Sequence, residues 1–157
     1  MRLMYLTAFL VFLLDQVIKF IVVQWLDLAN DPDGRIAVWP PFFELRMAWN
    51  RGVNFGLFAD FDMRWVLIGV ALAITAGVIW WLSRHGGSKW VMISGGLLIG
   101  GALGNVIDRL IYGAVADFLN MSCCGINNPY AFNVADISIF VGAIGLAILA
   151  DDKKKAA

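Results

Sequence analysis

The chain has 157 residues, 61% of them hydrophobic and only 15% charged, with a formal net charge of zero and a mean hydropathy of +0.75. Soluble domains carry roughly 25% charged and 45–50% apolar residues, so this composition excludes an ordinary water-soluble fold and specifies a lipid environment. Zero net charge gives no basis for nucleic-acid binding. The single histidine, His85, and the adjacent Cys123 and Cys124 leave no zinc or haem ligand set and no expectation of a stabilising disulfide.

The first element is the apolar run Leu3–Trp25. Crossing about 30 Å of hydrocarbon takes roughly 17–25 helical residues, so this run is long enough to span. Asp15 and Lys19 interrupt it and no small-x-small cleavage site follows, so it reads as a retained span rather than a cleaved signal peptide. Four residues apart, Asp15 and Lys19 share a helix face. They form either a local ion pair that makes two buried charges tolerable or a brace for polar groups on other helices.

A β-rich segment follows at about residues 35–60. Phe43, Leu45, Met47 and Trp49 alternate with Glu44, Arg46, Ala48 and Asn50, the period-two pattern of a strand with one apolar face. Asn54–Phe58 is the expected return partner around Arg51-Gly52-Val53, giving a small sheet on the membrane surface. The second span is Trp65–Leu82, followed by a loop in which His85 is solvated.

The third span, Trp90–Tyr112, carries Gly96, Gly100 and Gly104 at four-residue spacing, plus Gly95 and Gly101. Small residues on one face let helix backbones approach closely in lipid, where packing drives association. Near its end lie Asn105, Asp108 and Arg109, and an unpaired guanidinium at this depth is costly, so Arg109 is expected to pair with Asp108 or another carboxylate. A short loop, Gly113–Phe132, leads to a fourth span, Asp136–Ala150, which needs Asn133–Ala135 to approach membrane length.

Four spans place both termini on one side. Arg2, Arg84, Lys89 and Lys153–Lys155 lie there, six cations against Arg35, Arg46, Arg51 and Arg64 opposite, so the positive-inside rule makes the termini cytoplasmic. Trp25, Trp65, Trp80, Trp81 and Trp90 fall at span ends, as indoles prefer. The fold expected is thus one integral membrane domain, all-α with four transmembrane helices and a small extracytoplasmic sheet.

Asp117 and Asp136 share the outer face in this topology, with no Lys or Arg beside them in sequence. Ionisable groups at membrane depth are functional candidates by default. Two carboxylates a few ångströms apart cannot both ionise readily, so one keeps its proton and the pair titrates jointly. That state suits amide hydrolysis, one carboxylate taking a proton from water while the neutral acid hydrogen-bonds the scissile carbonyl. The bland alternatives are a helix cap for Asp136 and a solvated loop residue for Asp117. A small ion- or proton-coupled transporter, a Mg²⁺-dependent hydrolase and a purely structural subunit are the competing functions.

Five motifs occur in order: Asp15-Gln16-Val17-Ile18-Lys19, Asn50-Arg51-Gly52-Val53-Asn54-Phe55, Gly104-Asn105-Val106-Ile107-Asp108-Arg109, Val115-Ala116-Asp117-Phe118 and Phe132-Asn133-Val134-Ala135-Asp136. This set resembles that of the bacterial lipoprotein signal peptidases (signal peptidase II). The resemblance implies a cofactor-free, metal-free aspartic endopeptidase of the bacterial cytoplasmic (inner) membrane, working as a monomer with its site at the periplasmic face. Its partners would be membrane lipids and a diacylglyceryl-modified prolipoprotein, cut just before the lipidated cysteine. By position, Asp117 and Asp136 are the implied catalytic pair, with Asn105, Asp108, Arg109 and Asn133 as the polar shell around them. Asn50 and Gly52 match the outer-loop motif that contributes to the substrate cleft, and Asp15 and Lys19 the first-span pair. Two features depart from the family pattern: Asn54 stands where alanine is common, and the Asn120–Tyr130 loop carries the paired cysteines.

Overall fold

Among the described residues three α-helices, α1 (Arg2–Phe20), α2 (Met63–His85) and α4 (Val134–Leu149), pack against a fourth, α3 (Lys89–Tyr112). The computed structural model describes residues 1–31, 33–52, 62–122 and 128–149. α1 continues into a π-helical stretch, Ile21–Trp25, and the combined Arg2–Trp25 helix, α2 and α3 are each long and apolar enough to cross a membrane. At 16 residues α4 is a shorter apolar helix. Asp62 begins α2 by accepting the Arg64 N–H at 3.1 Å, and Ser88 begins α3 by accepting that of Val91 at 3.4 Å, the usual N-cap bonds.

The glycines of α3 work as their spacing implies. A β-carbon on Gly96 would lie 2.6 Å from the Met4 carbonyl oxygen, and one on Gly100 would lie 2.5 Å from that of Ala8. Gly101 faces the Ala135 carbonyl of α4 in the same way, and α4 answers with Gly142, whose β-carbon would meet Leu98 N at 2.6 Å. Backbones this close exclude lipid from both interfaces. By contrast, Trp25, Trp65, Trp80 and Trp90 are exposed at the helix ends.

At one end of the bundle Met4, Ala8, Leu82, Val91, Met92 and Ile99 form a core. At the other, a sheet packs over the first helix, with Phe118 buried against Val22 and Leu28, and Ile18, Ile36, Leu45, Met47 and Leu119 around them. Its strands are β1 (Arg35–Trp39), β2 (Phe43–Asn50) and β3 (Val115–Met121), antiparallel in the order β1-β2-β3. The strand read from alternation at residues 43–50 is present. The expected return partner, Asn54–Phe58, lies outside the described residues, as do Asn54, Cys123 and Cys124.

The segment read as a loop from Gly113 is different: Val115–Met121 is the third strand, paired Asn50↔Val115, Ala48↔Asp117 and Leu45↔Leu119. Its residues are buried nearly throughout, so it lacks the alternation of a half-exposed strand. Gly113, in the left-handed conformation at φ 76°, ends α3 and turns the chain directly into it.

Gly100→Val should lower stability by about 1–3 kcal/mol, because the Ala8 backbone cannot yield as a side chain would. Gly77→Ala, where a β-carbon meets nothing within 4 Å, should leave it unchanged. Unfolding both variants in mild detergent checks this.

Candidate active site

Asp117 is set by β3, and Asp136 by the first turn of α4, two elements separated in sequence but joined by Asn133. Phe132 pairs with Leu119 through two backbone hydrogen bonds, 2.8 and 3.0 Å, which brings residue 133 alongside the strand. The Asn133 amide then donates to Asp117 Oδ1 at 2.7 Å and to Asn105 Oδ1 at 3.2 Å. Its Oδ1 accepts the backbone N–H of Asp136 at 2.9 Å, and Asp136 Oδ2 accepts the backbone N–H of Asn133 at 3.2 Å. This reciprocal pair is a capping box: Asn133 caps α4 and Asp136 stands at the third helical position. The alternative reading of Asp136 as the cap itself is thereby corrected.

Asn105 closes the ring. Its Nδ2 donates to Asp136 Oδ1 at 2.8 Å, while its Oδ1 accepts from Asn133 and from Lys19 Nζ, both at 3.2 Å. Two donors on the oxygen leave the amide only one orientation, with its N–H toward Asp136. From β2, Asn50 donates to Asp117 Oδ2 at 2.9 Å and accepts the Gly52 N–H at 2.9 Å. Gly52 has φ 108°, and a β-carbon there would run into the Leu67 side chain of α2, so this corner needs a glycine twice over.

Asp117 is almost fully buried and its carboxyl is pushed up to about 6, first by desolvation and then by the neighbouring Asp136 charge. The bonds from Asn50 and Asn133 oppose the rise.

Beneath the two aspartates lies a buried ionic knot. Lys19 Nζ bridges Asp15 Oδ2 and Asp108 Oδ2, each at 2.8 Å, with all three side chains at most 3% exposed. Asp15 Oδ1 accepts the backbone N–H of Ala135 at 2.9 Å, and Asp108 Oδ2 accepts that of Ala116 at 3.1 Å. The knot therefore holds the residue before each aspartate, Ala116 before Asp117 and Ala135 before Asp136. Both readings of Asp15 and Lys19 are realised, the local pair and the brace. Arg109 behaves otherwise than expected: among the described residues it forms no ion pair with Asp108 or any other carboxylate. Its Nη1 donates instead to the Asn105 carbonyl at 3.2 Å. Asp108 is already committed to Lys19 and Ala116.

Residues 7–150 match the family described as Signal peptidase (SPase) II. The chain belongs to the signal peptidase II family. It is 42% identical over 144 residues to a lipoprotein signal peptidase of Methylobacterium sp. (strain 4-46), covering 90% of this chain and 84% of that one. It is 39% identical over 144 residues to that of Cupriavidus pinatubonensis, covering 90% and 78%. Among solved structures it is similar to a bacterial membrane enzyme determined by the in meso method at 2.3 Å resolution, with TM-score 0.75, 27% identity, and 97% and 90% of the two chains covered. A second such structure, at 1.9 Å resolution, gives a TM-score of 0.79 at 26% identity, with 92% and 90% covered.

All ten residues singled out within the signal peptidase II motifs gather at this end of the molecule. Two contributors were missed. Gln16 donates to Asp15 Oδ2, Asp108 Oδ1 and the Gly104 carbonyl at 3.2–3.4 Å, and its place beside Asp15 in the first motif was the available signal. Asn120, read from the sequence as the start of a loop, lies on β3, and no sequence signal distinguished it.

Lys19→Met should destabilise the protein by about 3–5 kcal/mol, since it leaves two buried carboxylates facing each other without their cation. Unfolding in a denaturing detergent titration measures the loss, and a wild-type transition would show that the knot bears no weight.

Proposed function

We propose that this signal peptidase II family member removes the signal peptide from diacylglyceryl-modified prolipoproteins as an aspartic endopeptidase, with Asp117 and Asp136 as its dyad. The observation that carries the reading is the Asn133 bridge, which hydrogen-bonds Asp117 Oδ1 and the Asp136 backbone with the same side chain. Burial and the raised Asp117 carboxyl support placing the shared proton there, leaving Asp136, part-exposed at a helix N-terminus, as the base. Nothing observed favours the transporter.

In this mechanism Asp136 takes a proton from water as the water oxygen attacks the scissile carbonyl carbon. Asp117 gives its proton to the carbonyl oxygen, and a gem-diol forms. Asp136 then protonates the departing amide nitrogen while one diol hydroxyl returns a proton to Asp117, so both groups end as they began. Asn50 and Asn133 hold Asp117, and Asn105 holds Asp136, without exchanging protons themselves.

The reading includes four spans, α4 being the shortest, with cytoplasmic termini and the dyad at the periplasmic face. The Lys/Arg asymmetry supports this orientation. A lipidated cysteine keeps its acyl chains in the bilayer, so the bond before it arrives at the depth where helix gives way to sheet. The enzyme works as a monomer in contact with membrane lipids and needs no metal or cofactor.

Asp117→Asn and Asp136→Asn should each lower cleavage of a diacylglyceryl-modified prolipoprotein by roughly 10²–10⁴-fold while the protein still inserts and folds. Wild-type turnover by either would exclude the dyad, and equal cleavage of an unlipidated precursor would exclude the substrate class. The pH profile carries a sign. The proton on Asp117 is present below about 6 and lost above it, so kcat should fall as pH rises through that region. A flat rate between pH 5 and 8 would place the proton elsewhere.

A further inference from the structure

Asn120 is fully buried, three residues beyond Asp117 on β3, and uses every hydrogen-bonding group of its side chain. Its Nδ2 donates to the carbonyls of Asn128 and Tyr130, both at 2.8 Å, and its Oδ1 accepts from the Ser122 hydroxyl at 3.1 Å. Ser122 Oγ in turn accepts the Asn128 N–H at 3.1 Å, and Asn128 Nδ2 donates to the Met121 carbonyl at 3.2 Å. The clasp therefore closes between the end of β3 and the chain returning toward α4.

Among the described residues that return segment runs antiparallel to β3 and pairs with it by backbone at Leu119 and Phe132, with a further bond from Phe118 N to the Phe132 carbonyl. Beyond that point, where a strand ladder would continue, the Asn120 side chain supplies the donors for the carbonyls of residues 130 and 128. One residue on the other side of Phe132 comes Asn133. A strand advances about 3.4 Å per residue, so a slip of a single position would carry the Asn133 amide out of reach of Asp117.

We infer that Asn120 is a positioning residue for hydrolysis: its clasp locks the register of the 128–132 return on β3 and so sets Asn133 between the two aspartates. The inference rests on the reading of Asp117 and Asp136 as the dyad. Asn120 touches neither aspartate and acts only through the placement of Asn133.

The test compares Asn120→Ala and Ser122→Ala with wild type and Asp117→Asn on a diacylglyceryl-modified prolipoprotein, in detergent or lipid vesicles. Asn120→Ala should lower kcat by roughly 10–100-fold, the scale of an ångström-sized misplacement of a reacting group, with KM within about twofold. Ser122→Ala, which removes only part of the clasp, should show the same split with a smaller drop. Both should also move the alkaline fall of kcat to higher pH, since weakening the Asn133 bond takes away a donor that favours the Asp117 carboxylate. A merely structural role would change stability or the fraction of active enzyme and leave that limb in place. Wild-type kcat in both variants, an effect confined to KM, or an unmoved limb would overturn the inference. Should Asn120→Ala fail to accumulate, Ser122→Ala decides on the same criteria. If Asp117→Asn is inactive while the clasp variants match wild type, the clasp falls and the dyad stands. If Asp117→Asn is active, the dyad itself is wrong and the inference falls with it.

Discussion

Two carboxylates from a strand and a helix can be held as neighbours only if something satisfies both, and in this molecule that residue is Asn133, whose side chain donates to Asp117 and whose backbone N–H donates to Asp136. It ends the return segment, caps α4 and donates to Asp117 with one side chain. A longer or charged residue could not play these parts: glutamine would overreach the cap, and aspartate would present an acceptor where Asp117 needs a donor. The rest of the architecture delivers backbone to this point. Glycine rows bring α1 and α4 against α3, Gly113 turns α3 into β3, and the Leu119–Phe132 pair aligns the returning chain.

The cation beneath the two aspartates is fully committed to other partners. Lys19 has three ammonium hydrogens and three partners, Asp15, Asp108 and Asn105, so none remains for Asp117 or Asp136. Among the described residues neither Asp117 nor Asp136 forms an ion pair, and the neighbouring Asp136 charge helps to hold the Asp117 carboxyl up. A buried ionic group of this kind contributes little net stability, but removing one member is severe. Its value here is geometric, because its carboxylates hold the backbone N–H groups of Ala116 and Ala135.

Much of this was legible in the chain. Hydropathy located the helices to within a few residues, the alternation at Phe43–Asn50 gave a strand, and the spacing of Gly96, Gly100 and Gly104 gave a helix interface. The motif aspartates and asparagines converge because each motif sits at or near the end of a helix or a strand. What could not be read was whatever depended on tertiary partners. β3 is buried on both faces, so Val115–Met121 shows no alternation and resembles the tail of a span. Arg109 beside Asp108 suggested an ion pair, and only the arrival of Lys19 from another helix shows why none forms. The exchange of roles between Asn133 and Asp136 is invisible in composition, since either residue type caps a helix well. Asn120 was hidden because two of its three partners are backbone carbonyls, which leave no trace in side-chain identity.

The order in which these parts occur along the chain has a biosynthetic consequence. Lys19 is made early, its partner Asp108 much later, and Asn133 and Asp136 almost at the end. A nascent polypeptide that has released β3 alone therefore holds Asp117 without Asn133 or Asp136, and the polar cluster closes only when the last helix has docked.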